Sequence, residues 1–214
     1  MRRRIKAIAS FASAAFILVL PFLLTQLLKQ IAALSSAQTQ SSFNLPPAVY
    51  AFCVIVALGS TANGFYLWKR ANHADQGAKG EEDIAEAMLP LQQAGWQIEY
   101  GMRLGNRLGD ADIVCISPQG KAFVIDVKSH RGTVTTDGKQ LSRQMGKQTY
   151  PFEKDFLSQA MKQALQVKKQ KNLDFVTPIV AFSNAKVSIR SNKVQKVYVV
   201  EKLELIPLLK TLTK

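Results

Sequence analysis

A run of 22 residues without a charge, AIASFASAAFILVLPFLLTQLL at 7–28, sets the strongest limit on how this chain can fold. About 20 apolar residues in a helix reach across the hydrocarbon core of a bilayer. A second uncharged run, AVYAFCVIVALGSTANGFYL at 48–67, is weaker, because Ser60, Thr61 and Asn63 are polar and Gly59 and Gly64 are poor helix formers in water. Small residues nevertheless suit the places where membrane helices pack together. The two runs are expected to form a transmembrane hairpin within residues 1–74, ahead of a soluble domain at 75–214.

Cations set the expected orientation. Arg2, Arg3, Arg4 and Lys6 precede the first run and Lys69 and Arg70 follow the second, while the connecting QIAALSSAQTQSSFNLPP carries no charge. The positive-inside rule then places both termini and the soluble domain in the cytoplasm, as in a multi-pass protein of the cell (inner) membrane. A basic start, an apolar core and small residues at 33–37 also resemble a secretory signal peptide, but the apolar run is longer than the ~7–15 residues of such a leader. Tyr66 and Trp68 read most simply as interface residues.

The net charge of +13 divides between the two parts. All 15 acidic residues and 21 of the 28 basic ones follow His73, so the soluble part holds +6 and the membrane part +7. Roughly half of the excess is therefore topogenic, and a modest surplus is left to attract a polyanion. Cys53 and Cys115 have no metal-ligand spacing, and a disulfide between a span and a strand is not expected.

In the soluble part, KRANHADQGAKG at 69–80 reads as a linker ending at a helix whose first turn holds Glu81, Glu82 and Asp83 and which runs to about 91–93. WQIEYGM reads as a strand, RLGNRLG as a loop, and GTVTTDGKQLSR as short β structure turning at Asp137 and Gly138. An amphipathic helix is expected over 153–171, with Leu157, Ala160, Met161, Ala164 and Leu165 on its apolar face. VTPIVAF and KVYVV are further strands, and EKLELIPLLKTL is a last helix that Pro207 kinks or shortens. This order favours an α/β domain, a mixed sheet with helices packed on it.

The segment GDADIVCISPQGKAFVIDVK, at 109–128, is expected to be a hairpin turning at Ser117, Pro118, Gln119 and Gly120. Facing positions then have numbers that add to 238, which sets Val114 against Val124, Asp112 against Asp126 and Asp110 against Lys128. Side chains two apart share a face, so these four charges form one cluster. Two carboxylates ~5 Å apart at an effective dielectric of about 20 repel by about 3 kcal/mol. Lys128 offsets part of this; Mg²⁺ or Mn²⁺ would offset more, because hard carboxylate oxygens suit those ions and their sites often take substrate phosphates. Glu81 shares a helix face with Ile84, Ala85 and Met88 and is expected to point towards the sheet.

These residues resemble a known family. Gly77-Ala78-Lys79-Gly80-Glu81 with Ile84, Asp112-Ile113-Val114, then Gly120, Val124-Ile125-Asp126-Val127-Lys128 and Gly132, and later Ile179-Val180-Ala181-Phe182 with Ser183-Asn184-Ala185, are similar in order to the nuclease-related domain, NERD, over about residues 77–214. That family is assigned to the PD-(D/E)xK nuclease superfamily, so the resemblance implies a restriction-endonuclease-like mixed sheet flanked by helices and a metal-dependent phosphodiesterase. It implies that Asp112, Asp126 and the Val127 carbonyl ligate the metal, that Glu81 adds a ligand or a water contact, and that Lys128 orients the attacking water or steadies the transition state. The family usually has Glu where Asp126 stands. Its members also often show Asn-Pro with Gln three residues after the proline; here Tyr150-Pro151 is followed by Lys154, and Gln159 or Gln163 would substitute, with Gln159 the candidate nucleic-acid contact.

The function expected is thus a membrane-anchored, Mg²⁺- or Mn²⁺-dependent nuclease acting on DNA in preference to RNA, with nucleic acid and the lipid bilayer as partners. A catalytically inactive nucleic-acid-binding or scaffolding module at the membrane is the alternative, and a sensor whose domain only reports is weaker. For the acid cluster the plain reading is a surface salt bridge. Arg131 is a candidate phosphate contact. Lys162, Lys168, Lys169 and Lys171 read first as the solvated side of a helix, and His73 and His130 as loop residues.

Overall fold

A computed structural model describes residues 2–34, 44–105 and 108–214, so the middle of the expected external loop, 35–43, lies outside the described residues. The chain divides into two compact units, Met1–Asp75 and Gln76–Lys214.

The first unit contains helix α1 (Arg2–Leu34) and the start of helix α2 (Pro47–Gln93). Both helices are long and apolar enough to cross a membrane. Their contact is made by small residues: Ala7 and Ala14 in α1 and Ala57 and Ala71 in α2 are buried, each pair at multiples of seven residues. Gly64, midway between Ala57 and Ala71, is where the approach is tightest, because a Cβ there would come within 2.7 Å of the Phe11 ring. Small residues let helix backbones come close in lipid, where no hydrophobic driving force separates one apolar side chain from another. Asn63 donates to Ser10 Oγ at 3.1 Å, Thr25 and Tyr50 share a hydroxyl contact at 3.1 Å, and Arg4 pairs with Asp75 at 2.6 Å. Large side chains face outwards, among them Phe16, Phe22, Phe52, Ile55, Leu58 and Phe65. That arrangement is inverted relative to a helix pair in water.

The expected linker is not a loop. Residues 69–80 are helical within α2. No proline falls between Pro47 and Pro90, and Lys, Arg, Ala and Gln are strong helix formers, which outweighs the penalty of about 1 kcal/mol for each of Gly77 and Gly80. Glu81, Glu82 and Asp83 therefore sit inside a helix rather than in its first turn. The helix stops with Gly95 at φ +85°; Gly95 N–H donates to Gln92 O and Trp96 N–H to Leu91 O, both at 3.1 Å, a Schellman closure with Trp96 and Leu91 packed in the same core.

The second unit is a mixed sheet between helices. After α2 come β1 (Gln97–Arg103), β2 (Asp110–Ile116), β3 (Ala122–Thr136), β4 (Leu141–Met145), β5 (Gln148–Pro151), α3 (Phe156–Gln170), β6 (Val176–Val187), β7 (Lys193–Val194), β8 (Val197–Glu201) and α4 (Lys202–Thr213). The eight strands among the described residues run in the order β1-β2-β3-β6-β8-β7, with β4 on β3 and β5 on β4. β3, β6 and β8 are mutually parallel neighbours and the remaining pairs are antiparallel.

Strand alternation distributes the core. Ile113, Phe123, Ile125, Val127, Ile179 and Ala181 face the end of α2 and α4, meeting Ile84, Met88, Leu91, Leu205 and Leu209. On the other face, Val114 and Val124 pack with Ala164 and Val167 of α3, and Val180 and Phe182 with Phe156, Leu157 and Ala160. The unit is thus a three-layer α/β fold.

Details depart from the sequence expectation. α3 starts later, because the Asp155 side chain accepts from Ser158 N–H and caps it. Its buried face takes Gln163 and Val167, whereas Leu165 is 54% exposed and Met161 only partly buried. Pro207 lies within α4 and does not shorten it. β3 is longer than expected and extends through His130, which is a strand residue. Asp137 does make the next turn, its Oδ1 accepting from Lys139 and Gln140 N–H at 2.8 Å.

Candidate active site

The site develops where β3 loses a neighbour. β2 pairs with the first four residues of β3 in the expected register, Val114 against Val124 and Ile113 against Ile125, closed by the turn in which Gly120 N–H donates to Ser117 O. β4 pairs on the same edge with Thr133 to Thr136. Between the two, β3 has a gap, and Asp126, Lys128 and a bulge lie beside it; β3 spends one more residue than β6 between Lys128 and Arg131.

The gap corrects the expected pairing. Asp112 does not face Asp126 as a ladder partner, and Asp110 is paired with Arg103 of β1 rather than set against Lys128. β2 follows β1 away from β3, and the Asp112 carboxylate takes over the missing rung: its Oδ2 accepts from Val127 N–H at 2.7 Å. In an extended strand the N–H and C=O of one residue leave on the same edge, so the Val127 carbonyl also faces the gap.

Asp126 points to the α3 face and is buried. Lys128 Nζ lies 2.6 Å from its Oδ2, and Gln159 Nε2 donates to its Oδ1 at 3.1 Å. The Lys128 ammonium is also 5.0 Å from the centre of the Phe156 ring. Burial drives the Asp126 carboxyl up to about 6; Lys128 opposes this by charge and hydrogen bonding, Asp112 adds to it, and the Gln163 amide opposes it slightly. The Asp112 carboxyl is raised too, first by burial, with the Val127 N–H and Lys128 opposing and Asp110 adding. One lysine therefore serves two buried acids.

Glu81 arrives from the other face. The buried stripe of α2 is Gly80, Ile84, Met88 and Leu91, and Glu81 stands exposed at its border. Partial burial raises its carboxyl, and Asp112 raises it further, while Lys128 lowers it and Asp126 raises it. Gly80 is the contact: a Cβ there would come 2.7 Å from Ser183 Oγ and 2.9 Å from Ser129 Cβ, and Gln76 Nε2 donates to Ser129 O at 2.7 Å. Gly80→Val is expected to destabilise the fold by about 1–3 kcal/mol through overpacking, whereas Gly77→Ala, which meets nothing within 4 Å, should stabilise it by up to about 1 kcal/mol. Thermal unfolding of the two variants in detergent checks the opposite signs.

The structure thus brings Asp126, Lys128 and Gln159 into direct contact, ties Asp112 to Val127, and holds Glu81 within electrostatic range. Arg131 stands apart, exposed beyond the bulge and paired opposite Asn184. Gln163 is the weaker of the two glutamines by spacing, yet it is 1% exposed, and its Nε2 donates to Asp110 O at 3.3 Å. A polar residue four positions from Gln159, between Ala160 and Ala164, is the signal for it. His130 packs against Phe152, Phe156 and Phe182, with ring centres 5.0, 5.4 and 6.4 Å away. Lys171 pairs with Glu99 at 2.6 Å, and Lys162, Lys168 and Lys169 are exposed. Cys115 is buried in β2, which pushes its thiol up to about 12 and leaves it protonated.

Two strand carboxylates and a strand carbonyl are a donor set that fits a hard divalent ion, and the raised carboxyls of Asp112 and Asp126 mark a place short of positive charge. Among the described residues no three His, Cys, Asp or Glu side chains converge closely enough to hold an ion by themselves. The two aspartates and the Val127 carbonyl are the groups that would hold such an ion.

Comparison with known proteins points to a family. The nuclease-related domain model, NERD, matches residues 76–183, from the last turns of α2 into β6. No curated protein and no solved structure gives a significant match. The matched segment contains the acids, the lysine, the bulge and the glutamines of α3, and it is half of the chain. The chain belongs to the nuclease-related domain family, NERD.

Proposed function

We propose that the chain is a membrane-anchored, divalent-metal-dependent nuclease that hydrolyses phosphodiester bonds of DNA in preference to RNA. Membership of a nuclease-related family supports a nuclease-like activity. The single observation that carries the chemistry is the pairing of a buried aspartate with Lys128 at 2.6 Å beside the gap in β3.

In this reading Asp112, Asp126 and the Val127 carbonyl hold Mg²⁺ or Mn²⁺, and Glu81 contributes a ligand or a water contact. The bound ion supplies an acidified water and charge neutralisation at phosphorus. Lys128 moves from Asp126 to the scissile phosphate, where its ammonium stabilises the charge that develops on the non-bridging oxygens. Gln159 holds the Asp126 carboxylate in one orientation, and Val127 N–H does the same for Asp112. The two apolar helices anchor residues 1–74 in the bilayer, and the basic residues at 2–6 and 69–70 favour a cytoplasmic domain at 75–214.

Full-length protein in detergent tests this. Cleavage of duplex DNA that requires Mg²⁺ or Mn²⁺, stops with EDTA and falls by about 100-fold or more in Asp112→Asn is the expected outcome. A second reading, a non-catalytic binding module, is favoured by the lack of three converging acidic, His or Cys side chains among the described residues. Salt-sensitive DNA binding without turnover in either metal would establish it instead.

A further inference from the structure

The gap in β3 is bordered on one side by the end of β2 and on the other by the β4–β5 hairpin, to which neither the family match nor the sequence expectation gives a task. Register shows where the hairpin aims. β4 runs back along β3, Thr136 against Leu141 and Thr133 against Gln144, so Met145 comes level with Gly132 and the Gly146-Lys147 turn with Arg131 and His130. At ~3.3 Å per residue the turn lies about 7–10 Å along the sheet from Lys128. Gly146 has φ +61°, as the first position of a tight two-residue hairpin turn requires.

Gly132 shows that the hairpin lies close over the strand. A Cβ there would come 2.6 Å from Gln144 O, 2.7 Å from Met145 Sδ and 3.5 Å from Arg143 Cγ. Arg143 is paired with both Val134 of β3 and Tyr150 of β5, and Val134 faces α3. Directly opposed residues share a face, so Arg143 and Tyr150 are on the sheet face that also presents Asp126 and Lys128.

The chemistry of the hairpin is one-sided. The hairpin, residues 141–151, carries Arg143 and Lys147 and no acid, although the chain has 15 acids. Everything from Gln144 to Tyr150 is exposed. Tyr150 is the one aromatic residue from 138 to 151, and its hydroxyl donates to Gln148 Oε1. A single-strand binder stacks bases on a row of aromatic side chains. Cations and amides without such a row suit the sugar-phosphate backbone of a duplex.

We infer that the β4–β5 hairpin is the duplex-DNA-holding arm of the site, with Arg143 and Lys147 contacting phosphates a few steps from the one presented to Lys128. The proposal deepens the nuclease reading and rests on it for the location of the scissile phosphate. It is tested on full-length protein in detergent carrying Asp126→Asn to prevent turnover, in EDTA, by measuring affinity for a duplex DNA across a series of salt concentrations. Arg143→Ala with Lys147→Ala should lower the slope of log affinity against log salt by about 1.8, the value for two phosphates that are no longer neutralised. Lys162→Ala with Lys169→Ala, on the exposed side of α3, should leave the slope unchanged. Thermal unfolding confirms that both pairs fold.

A slope unaltered by the hairpin pair overturns the arm, as does an equal loss from the α3 pair. Tighter binding of a single strand or of duplex RNA than of duplex DNA overturns the occupant. Cleavage abolished by Asp126→Ala together with an unaltered slope leaves the nuclease reading standing and removes the arm alone. A reduced slope in a protein that shows no Asp126-dependent cleavage retains the arm as a DNA-binding element and removes the chemistry.

Discussion

Asp126→Ala is expected to lower metal-dependent DNA cleavage by about 10³-fold or more, measured under single-turnover conditions with full-length protein in detergent and Mg²⁺ or Mn²⁺. Three physical losses coincide at this residue. It provides one of two strand carboxylates for the metal, it is the partner of Lys128 at 2.6 Å, and it is the anchor of Gln159 at 3.1 Å. Removing it leaves a lysine ammonium, 15% exposed, beside a smaller acid set, so the residual activity cannot be recovered by raising the metal concentration. Asp126→Glu, which restores the residue usual in the family, should recover activity to within about tenfold. Equal rates in parent and Asp126→Ala would remove this site from the reaction altogether.

Asp126→Asn in EDTA at pH 8 is expected to be more stable than the parent by about 1–3 kcal/mol, and to show a smaller pH dependence than the parent between about pH 4 and 6. The Asp126 carboxyl is raised from 3.8 to about 6, chiefly by burial. A shift of one pKa unit corresponds to about 1.4 kcal/mol, so about 3 kcal/mol is the upper value, and the loss of the Lys128 partner in the variant lowers it. The sign follows from proton binding. The folded state holds the proton more tightly than the unfolded chain, so this contribution to stability is complete below about pH 4 and disappears as pH rises through about 6. Asp112 and Glu81, raised as well, keep part of that dependence in the variant, and Asp137, lowered by the N–H groups of Gln140 and Lys139, is likewise common to both proteins. Mn²⁺ at pH 8 should return stability to the parent and not to the variant, because binding only to the folded state stabilises by mass action. A parent protein whose unfolding is insensitive to both pH and Mn²⁺ would contradict the buried charge and its proposed neutraliser together.

These two results bear on different steps. The first asks whether the acid is used in chemistry, the second whether it is held at an energetic disadvantage that a cation relieves. Active sites accept such disadvantages because the strain is released when the ligand or transition state arrives.

Local chemistry was legible from residues close together in the chain. The turn at Ser117 to Gly120 and the alternation on either side of it determined the β2–β3 register, because a one-residue slip would turn every apolar side chain of a strand to the wrong face. Apolar length determined α1 and α2, and the Asp137 turn and most strands followed from the same short-range rules. What failed, the linker at 69–80 apart, was anything requiring knowledge of neighbours. Extending the β2–β3 register to Asp112 and Asp126 assumed that two strands stay paired, but β2 is also bound to β1 and diverges with it, so Asp112 meets Val127 by its side chain. The expected linker became helix for a local reason, its strong helix formers and lack of proline, and the buried stripe of Gly80, Ile84, Met88 and Leu91 begins only at its end.

By itself, then, the order of residues determined which side chains carry the chemistry and which stretches are too apolar to meet water, since charge, hydroxyl, amide and hydrocarbon are properties of single residues. Only the tertiary structure decided that Gln159 meets Asp126, that Glu81 comes from the opposite face, and that the β4–β5 turn closes one side of a gap in β3. Those relations join residues far apart in the chain and depend on where a sheet parts, which is a compromise among all of its strands and cannot be deduced from any one of them.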